Sequence, residues 1–301
     1  MLRRSKVGGA VAVDKRTVVT GVLCAVAALG ASAAMTKVVP ASEGGSGTHI
    51  KAAAPAKPSP SPSSRSQAAK QPQLNTSGTP RPGSPAAFTG ALFEGGVQGD
   101  HFCTATVVHS PGKNLIVTAG HCLIAGKTGD GGAVFAPAYA NGGAPYGAWT
   151  IEEVFEDPRW AEGTDDDYDL AFARLAPDAA GRNIEDVTGA ATLDTTGRTG
   201  EEITVTGYPA DRKVPRTCTA SAIRETETEQ RFDCADFPGG TSGSAWLAKD
   251  GKIIGILTGG DTDDVSTSTI LGEYAATLYA KATSAPVEPR AAQGRSPSTS
   301  R

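Results

Sequence analysis

Residues 86–283 contain a series of short strand-like runs with no helical segment between them. The runs are apolar and rich in β-branched residues, and Gly, Pro, Asn and Asp separate them, which is typical of strands joined by turns. They cover residues 87–93, 102–110, 114–120, 148–155, 169–175, 202–209, 217–225, 244–248 and 252–260. Because strands and helices do not alternate, a parallel α/β fold is disfavoured. The pattern predicts an all-β barrel or sandwich that ends in one helix over residues 271–282.

This region also differs in composition from the rest of the chain. All 17 aromatic residues lie between Phe88 and Tyr279, and residues 86–283 carry 29 acidic and 14 basic groups. The two flanks together carry 3 acidic and 14 basic groups, so the overall net charge of −4 hides an acidic region between basic ends. About 200 residues suffice to bury a core in one or two subdomains. The composition argues against a polytopic membrane protein, and the acidic region gives no reason to expect a nucleic-acid partner.

The flanks predict targeting and spacer segments. Residues 1–34 combine an early basic cluster, an apolar run at 17–34 and small residues at 31–33, which is typical of a secretory signal peptide. The alternative is an uncleaved signal anchor, the one case in which a membrane contact is expected, and both interpretations place the following residues outside the cytoplasm. The composition of residues 35–85 predicts a disordered linker, with an inhibitory propeptide as the alternative, and that of residues 284–301 predicts a disordered tail.

Four cysteines remain if the signal peptide is removed together with Cys24. An exported chain favours disulfides, and four cysteines allow three pairings. The sequential pairing, Cys103 with Cys122 and Cys218 with Cys234, closes loops of about 20 and 17 residues, each contributing roughly 3 kcal/mol. Free thiols are the alternative, and a zinc site is disfavoured because no pair has C-x-x-C spacing.

His121 and Asp169 are the first candidates for chemistry. His121 follows an apolar run within Thr118-Ala119-Gly120-His121-Cys122, where small residues would let its ring face a cleft. Asp169 enters the apolar run Leu170-Ala171-Phe172, and its desolvation is costly unless a partner such as an imidazole N–H bonds to it. A solvated loop is the alternative for the acidic residues before Asp169, and a calcium site at residues 165–167 stays open.

Ser242 lies in the glycine-rich segment Gly239-Gly240-Thr241-Ser242-Gly243. A serine nucleophile needs a base and backbone N–H donors aimed at the developing oxyanion, and neighbouring glycines permit both substrate approach and the required turn. A glycine-flanked serine such as this G-x-S-G segment is, alone, a weak signal. In α/β-hydrolases a helix follows the GxSxG motif, so the strand-like run that follows Ser242 disfavours that fold.

Three motifs in the order His, Asp and Ser make the pattern specific. TAGHC at 118–122, YDLAF at 168–172 and GGTSGSAW at 239–246 resemble the chymotrypsin/trypsin-like serine peptidase family, most of all its bacterial secreted branch, which includes glutamyl-endopeptidase-like enzymes. The resemblance covers residues 86–283. It implies a chymotrypsin-like fold of two antiparallel six-stranded β-barrels with a C-terminal helix, the first barrel over 86–190 and the second over 191–283.

The resemblance also implies the role of each site residue. His121 is the base, Asp169 orients it, Ser242 is the nucleophile, and the N–H groups of Gly240 and Ser242 form the oxyanion hole. The segment Thr258-Gly259-Gly260 matches the strand that pairs with substrate backbone, and the Thr258 hydroxyl is expected to bond to Asp169. No cofactor or metal is implied for catalysis.

The chain departs from vertebrate trypsins at Thr241, where those enzymes carry an aspartate that pairs with the new N-terminus after activation cleavage. Thr241 has no charge, so we expect activity without that pair. Asp236 precedes Ser242 by six residues, the position where trypsin-like enzymes keep a carboxylate for Arg or Lys at P1, but Pro238 breaks the surrounding pattern. Basic, glutamyl and small or apolar P1 preferences all stay open.

The sequence therefore predicts an exported serine endopeptidase that acts as a monomer on protein or peptide substrates. A non-catalytic binding or adaptor module on a protease fold is the main alternative. A β-sandwich that binds a cell surface is another, but it leaves the three motifs unexplained.

Overall fold

The computed structural model of the protein describes residues 79–123 and 132–284. The predicted segment 1–34, most of 35–85 and all but the first residue of 284–301 lie outside the described residues. Within the described ranges, no helix combines the length and the apolar character that crossing a membrane requires.

The first half of the domain is a closed antiparallel barrel of six strands, in the order β1-β2-β3-β6-β5-β4, with β4 pairing back to β1. The strands are β1 (Thr89–Glu94), β2 (His101–Val108), β3 (Leu115–Thr118), β4 (Ala133–Pro137), β5 (Trp149–Glu156) and β6 (Ala171–Leu175). Closure removes both sheet edges. Side chains on the inner face, such as Val107, Ile116 and Ala173, are fully buried.

The second half consists of two sheets. Its strands are β7 (Thr192–Leu193), β8 (Glu202–Gly207), β9 (Arg216–Ser221), β10 (Ile223–Arg224), β11 (Glu229–Asp233), β12 (Ala245–Ala248), β13 (Lys252–Ile256), β14 (Gly259–Thr262) and β15 (Val265–Thr269). The first sheet has the order β7-β13-β12-β8-β9 and the second β10-β11-β15-β14. Both contribute to one core, in which the Phe232 and Trp246 rings lie 5.0 Å apart edge to face.

The second half differs in one respect from the expected six-stranded barrel. Its two sheets are not joined by a regular ladder. Along one seam the Cys218–Cys234 disulfide connects β9 to the end of β11. Along the other, Ile256 N donates to Ser268 Oγ at 2.8 Å and Thr258 N donates to Thr267 O at 2.9 Å. The all-β, chymotrypsin-like architecture is confirmed. Where a closed barrel would have a continuous backbone ladder, the Cys218–Cys234 disulfide and the hydrogen bond to Ser268 Oγ connect the two sheets.

The C-terminal helix packs against the first barrel rather than the second. Helix α4 (Glu273–Ser284) begins and ends two residues later than predicted. Ala275, Leu278 and Ala282 are buried in the core of the first barrel, and Tyr279 contacts Phe172 edge to face at 5.8 Å. The preceding helices are short: α1 (Pro85–Phe88), α2 (Pro158–Gly163) and α3 (Ile184–Thr188).

Contacts with the folded domain begin before residue 86, where the composition placed the start of the domain. Gly83 N donates to Thr188 O at 2.7 Å, and Phe88 of α1 is buried. The last residues of the predicted linker therefore belong to the folded unit.

Both predicted disulfides are present, Cys103–Cys122 and Cys218–Cys234. The first joins β2 to the short 3-10 helix Gly120–Leu123 that follows β3. It therefore fixes the backbone on which His121 lies.

Candidate active site

The structure brings His121 and Asp169 into direct contact. His121 Nδ1 lies 2.7 Å from Asp169 Oδ2, and the backbone N–H of His121 donates to Asp169 Oδ1 at 2.8 Å. The Asp169 side chain is only 5% exposed, whereas the imidazole is 32% exposed. A buried carboxylate is stable only when it is hydrogen-bonded, and both of its oxygens bind the same residue here. The contact fixes the imidazole and leaves its Nε2 side directed away from Asp169.

Gly120 makes this contact sterically feasible. A Cβ at this position would overlap the Trp160 indole and would lie 2.9 Å from Asp169 Oδ1. The indole lies edge to face with the His121 ring at 6.5 Å. Gly120 therefore admits Asp169 and Trp160 together beside His121.

Trp160 is a site residue that the sequence reasoning missed. It lies on α2, which Asp157 caps by accepting a hydrogen bond from Arg159 N at 2.9 Å. The Arg159 guanidinium bonds to Asp157, holding the pKa of that carboxyl below its usual range, and stacks 3.6 Å from the Tyr168 ring centroid. The sequence signal that could have identified Trp160 as a site residue is its place among acidic residues shortly before Asp169.

The Ser242 loop is docked against the first barrel. Ser242 O accepts a hydrogen bond from Thr104 N on β2 at 2.8 Å. Gly243 has a φ of +85°, and a Cβ there would overlap Thr104 O and Thr118 Oγ1. Only glycine permits both that conformation and that approach. The loop thus meets β2 and β3 three residues before His121.

Carbonyl contacts set the peptide orientations around Ser242. Gly239 O accepts Ala210 N at 2.9 Å, and Thr241 O accepts Ser244 N at 3.1 Å. The N–H and C=O groups of a trans peptide point in opposite directions, so the Gly240 and Ser242 N–H groups point away from these partners. Within residues 79–123 and 132–284, neither N–H donates a hydrogen bond. Both are available to an incoming oxyanion.

A cleft of about 740 Å³ lies beside Asp169 and Thr258-Gly259-Gly260. Strand β14, which contains Gly259 and Gly260, is at the edge of its sheet and is exposed along its length. An exposed edge can pair with an extended peptide. The expected Thr258–Asp169 bond is wrong, because the Thr258 hydroxyl donates to Thr267 O at 3.4 Å.

Carboxylates dominate the cleft. Those in its lining belong to Asp166, Asp167, Asp169, Glu225, Glu229 and Asp261. Asp165, next to them, accepts from Asp167 N at 3.2 Å and caps the 3-10 helix Asp166–Tyr168. That cap gives Asp165 a structural role, and calcium binding at 165–167 stays a prediction.

Glu156 adds a further carboxyl group close to Asp169. Partial burial, and secondarily the negative charge of Asp169, raise the pKa of Glu156. The neutral form of Glu156 is therefore favoured relative to that of an exposed glutamate.

Asp236 is paired with arginines, although its side chain is 44% exposed. Arg212 bonds to both of its carboxylate oxygens, one at 2.6 Å, and Arg216 Nε lies 3.4 Å from Oδ2. The Arg212 hydrogen bond lowers the pKa of Asp236. A role as receptor for a basic P1 side chain stays a prediction, and this pairing weighs against it.

Comparisons with known proteins agree with this geometry. A family model described as a trypsin-like peptidase domain matches residues 103–256. A glutamyl endopeptidase of Staphylococcus aureus (strain MRSA252) is 28% identical over 167 residues, 54% of this chain and 44% of the relative. An extracellular metalloprotease of Bacillus subtilis (strain 168) is 28% identical over 144 residues, 47% of this chain and 44% of the relative.

A solved structure extends the similarity over the whole described domain. The thermostable serine protease AL20 of an extremophilic microorganism superposes with a TM-score of 0.59 and 28% identity, covering 67% of this chain and 99% of that protein. By contrast, the chain spans less than half the length of the two curated relatives described above.

Proposed function

The chain belongs to the trypsin-like peptidase family, and from this membership we propose that it is a serine endopeptidase that acts through an acyl-enzyme on Ser242. The observation that carries the proposal is the His121–Asp169 contact at 2.7 Å, together with the docking of the glycine-rich serine loop on Thr104 and Thr118. A serine needs such an oriented base, and orientation of the base by a buried carboxylate is how this family meets that need.

In the proposed reaction, Ser242 Oγ attacks the peptide carbonyl carbon while its proton passes to His121 Nε2. Asp169 holds the tautomer and stabilises the imidazolium. The proton then moves to the leaving amine as the C–N bond breaks, which leaves an ester on Ser242. Water attacks that ester, gives a proton to His121, and Ser242 Oγ departs with the proton returned.

The N–H groups of Gly240 and Ser242 are proposed to bind the oxyanion formed in both steps. Their support is that both point away from the N–H donors that bind the neighbouring carbonyls, and that neither donates a hydrogen bond within the described residues. Loss of one such donor costs about 10²–10³ in kcat. Extended substrate is proposed to pair with the exposed edge at Gly259 and Gly260.

Export and a monomeric state are also part of the proposal. Two disulfides favour an oxidising compartment, and the name of the Bacillus relative places that protein outside the cell. The substrates are proteins or peptides, as the family implies.

The P1 preference is proposed to be uncharged or acidic rather than basic, because Arg212 and Arg216 already engage Asp236. The name of the Staphylococcus relative agrees with an acidic P1. Cleavage rates after Arg, Glu and Phe in otherwise identical peptides test this. Fastest cleavage after Arg, abolished by Asp236→Ala, would contradict it.

Activity is proposed not to need a newly formed N-terminus. The buried Thr241 hydroxyl donates to Pro238 O at 2.7 Å, so the loop satisfies this residue internally. Chains beginning at residue 79 and a few residues earlier are expected to hydrolyse peptide at equal rates. Loss of activity in the longer chain would contradict this view.

Covalent labelling by a serine-directed phosphonate tests the main proposal. We expect labelling and hydrolysis in the wild type, loss of both in Ser242→Ala and His121→Ala, and retention in His109→Ala, a matched exposed histidine paired with Glu185. An unlabelled, inactive wild type would favour the binding-module alternative. Hydrolysis that a chelator abolishes and the phosphonate spares would favour metal-dependent chemistry, as named for the Bacillus relative.

A further inference from the structure

Thr104 connects the first barrel to the Ser242 loop through both its side chain and its backbone. Its Oγ1 donates to Gly240 O at 3.0 Å and accepts a hydrogen bond from Tyr208 N at 2.8 Å. Its N–H donates to Ser242 O at 2.8 Å. Thr104 is fully buried, and these bonds join parts of the chain more than 100 residues apart in sequence.

The two acceptors are the carbonyl groups of the same two residues, Gly240 and Ser242, whose N–H groups are the candidate oxyanion donors. Thr104 Oγ1 fixes the peptide between Gly240 and Thr241, and Thr104 N fixes the peptide between Ser242 and Gly243. Among the described residues, Thr104 is the one side-chain donor to the Gly240 carbonyl. Without it, the peptide carrying the Thr241 N–H would be held, within those residues, only by its 3.2 Å bond to Pro238 O. Rotation of that peptide would tilt the neighbouring Gly240 N–H.

Thr104 also lies close to the backbone that carries His121. Its carbonyl accepts the Thr118 hydroxyl at 2.7 Å, on the strand that ends just before His121. The preceding residue, Cys103, is disulfide-bonded to Cys122, which follows His121. The serine loop and the histidine turn are thus tied to the same short part of β2.

We propose that Thr104 is a positioning residue that fixes the Gly240 and Ser242 N–H groups relative to His121. The inference rests on the proposed function. It assigns to one side chain the relative placement of groups that lie in the two halves of the domain. It acts through the loop and does not touch the reacting atoms. Oxyanion stabilisation depends on donors held at about 2.7–3.1 Å from the developing charge, so a small tilt is costly.

The test uses Thr104→Val, which keeps the shape and removes the hydroxyl, and Thr104→Ser, which keeps the hydroxyl. For Thr104→Val we expect kcat to fall about 10- to 100-fold while KM changes less than about threefold. Affinity for a peptide boronate, which mimics the tetrahedral intermediate, should fall in parallel with kcat/KM. Thr104→Ser should retain kcat within about threefold.

Thr106→Val is the matched control. Thr106 lies two residues further along the same strand, is equally buried, and its hydroxyl has no hydrogen-bond partner among the described residues. We expect unchanged kinetics there. Amide exchange at Tyr208 adds a readout independent of activity, with protection lost in Thr104→Val and kept in Thr104→Ser.

Two results would overturn the inference, and they are distinguishable. If the wild type is labelled and active but Thr104→Val matches it in kcat and boronate affinity, the positioning role is wrong and the proposed function stands. If the wild type is neither labelled nor active, the proposed function fails, and the role of Thr104 fails with it.

Discussion

Replacing Gly120 with alanine adds one methyl group at a crowded point of the candidate site. The new Cβ would overlap the Trp160 indole and lie 2.9 Å from Asp169 Oδ1, closer than carbon and oxygen normally approach. Trp160 is partly exposed and can move outward. Asp169 is buried and bonded twice to His121, so it resists displacement. To relieve the steric overlap, the Trp160 indole must therefore shift, and the Asp169 carboxylate must shift by a smaller amount.

The expected magnitudes follow from those two shifts. Overpacking of a well-filled region costs about 1–3 kcal/mol of folding stability. Displacement of Asp169 by a few tenths of an ångström weakens the bond that orients His121, and misplacement by about 1 Å costs roughly 10²-fold in rate. We expect kcat/KM to fall about 10- to 100-fold, mostly through kcat, because the shift acts on the orientation of His121 and leaves the exposed edge at Gly259 and Gly260, proposed to bind substrate, unchanged.

The assay is a double-mutant cycle with Trp160→Ala, measured by urea unfolding and by peptide hydrolysis. Removing the indole leaves room for part of the added methyl, so Gly120→Ala/Trp160→Ala should regain stability relative to the sum of the single changes. The coupling energy should exceed about 1 kcal/mol. Activity should recover only partly, because the contact with Asp169 Oδ1 persists.

Gly163 provides the control, since it ends the same helix as Trp160. Nothing lies within 4 Å of a Cβ at that position, and its φ is not positive. Gly163→Ala should be neutral or stabilising by less than about 1 kcal/mol. Wild-type stability and activity in Gly120→Ala, or strict additivity with Trp160→Ala, would refute the steric argument.

Three further predictions concern the stability of the domain. Cys218→Ser/Cys234→Ser should lose about 3 kcal/mol in urea unfolding, because the disulfide closes a seam between the two sheets; an unchanged midpoint would contradict this. Glu156→Gln should melt higher than the wild type at pH 7 and equal to it near pH 4, since the raised pKa of Glu156 means that stability is lost as pH rises through that pKa; a lower melting temperature at pH 7 would contradict it. Burial alone would raise the pKa of Asp194, but hydrogen bonds from Thr196, Arg198 and Lys252 outweigh it and lower that pKa to about 2. Asp194→Ala should therefore cost about 1–3 kcal/mol at pH 7 and progressively less from about pH 4 towards pH 2; a cost that does not depend on pH would count against the pairing.

The sequence predicted those parts of the candidate site that residues close together in the chain form. His121 and Ser242 each lie next to a glycine that their surroundings require, Gly120 and Gly243. Both cysteine pairs are near neighbours in the chain. The all-β class followed from the strand-like runs, because period and turn residues are local properties.

Tertiary contacts decided the features that sequence reasoning missed. Thr104 meets Gly240 across 136 residues, and the arginine that pairs with Asp236 is 24 residues away. Neither partner can be identified from spacing. Trp160 enters the site because Gly120 leaves space for it, a complementarity that appears only once both segments are folded. The seam closed by Cys218 and Cys234 likewise depends on how two sheets meet.

Because α4 packs on the first barrel, the first barrel can complete its core only after α4 has been synthesised. As the chain is made, the first barrel emerges early, yet the side chains that cover one of its faces, Leu278 and Ala282 among them, come near the end. Until then that face stays open to water and to other chains. Unfolding of α4 would therefore destabilise the half of the domain that carries His121 and Asp169, although that half is distant from α4 in sequence. The half that carries Ser242, which is adjacent to α4 in sequence, would be affected less.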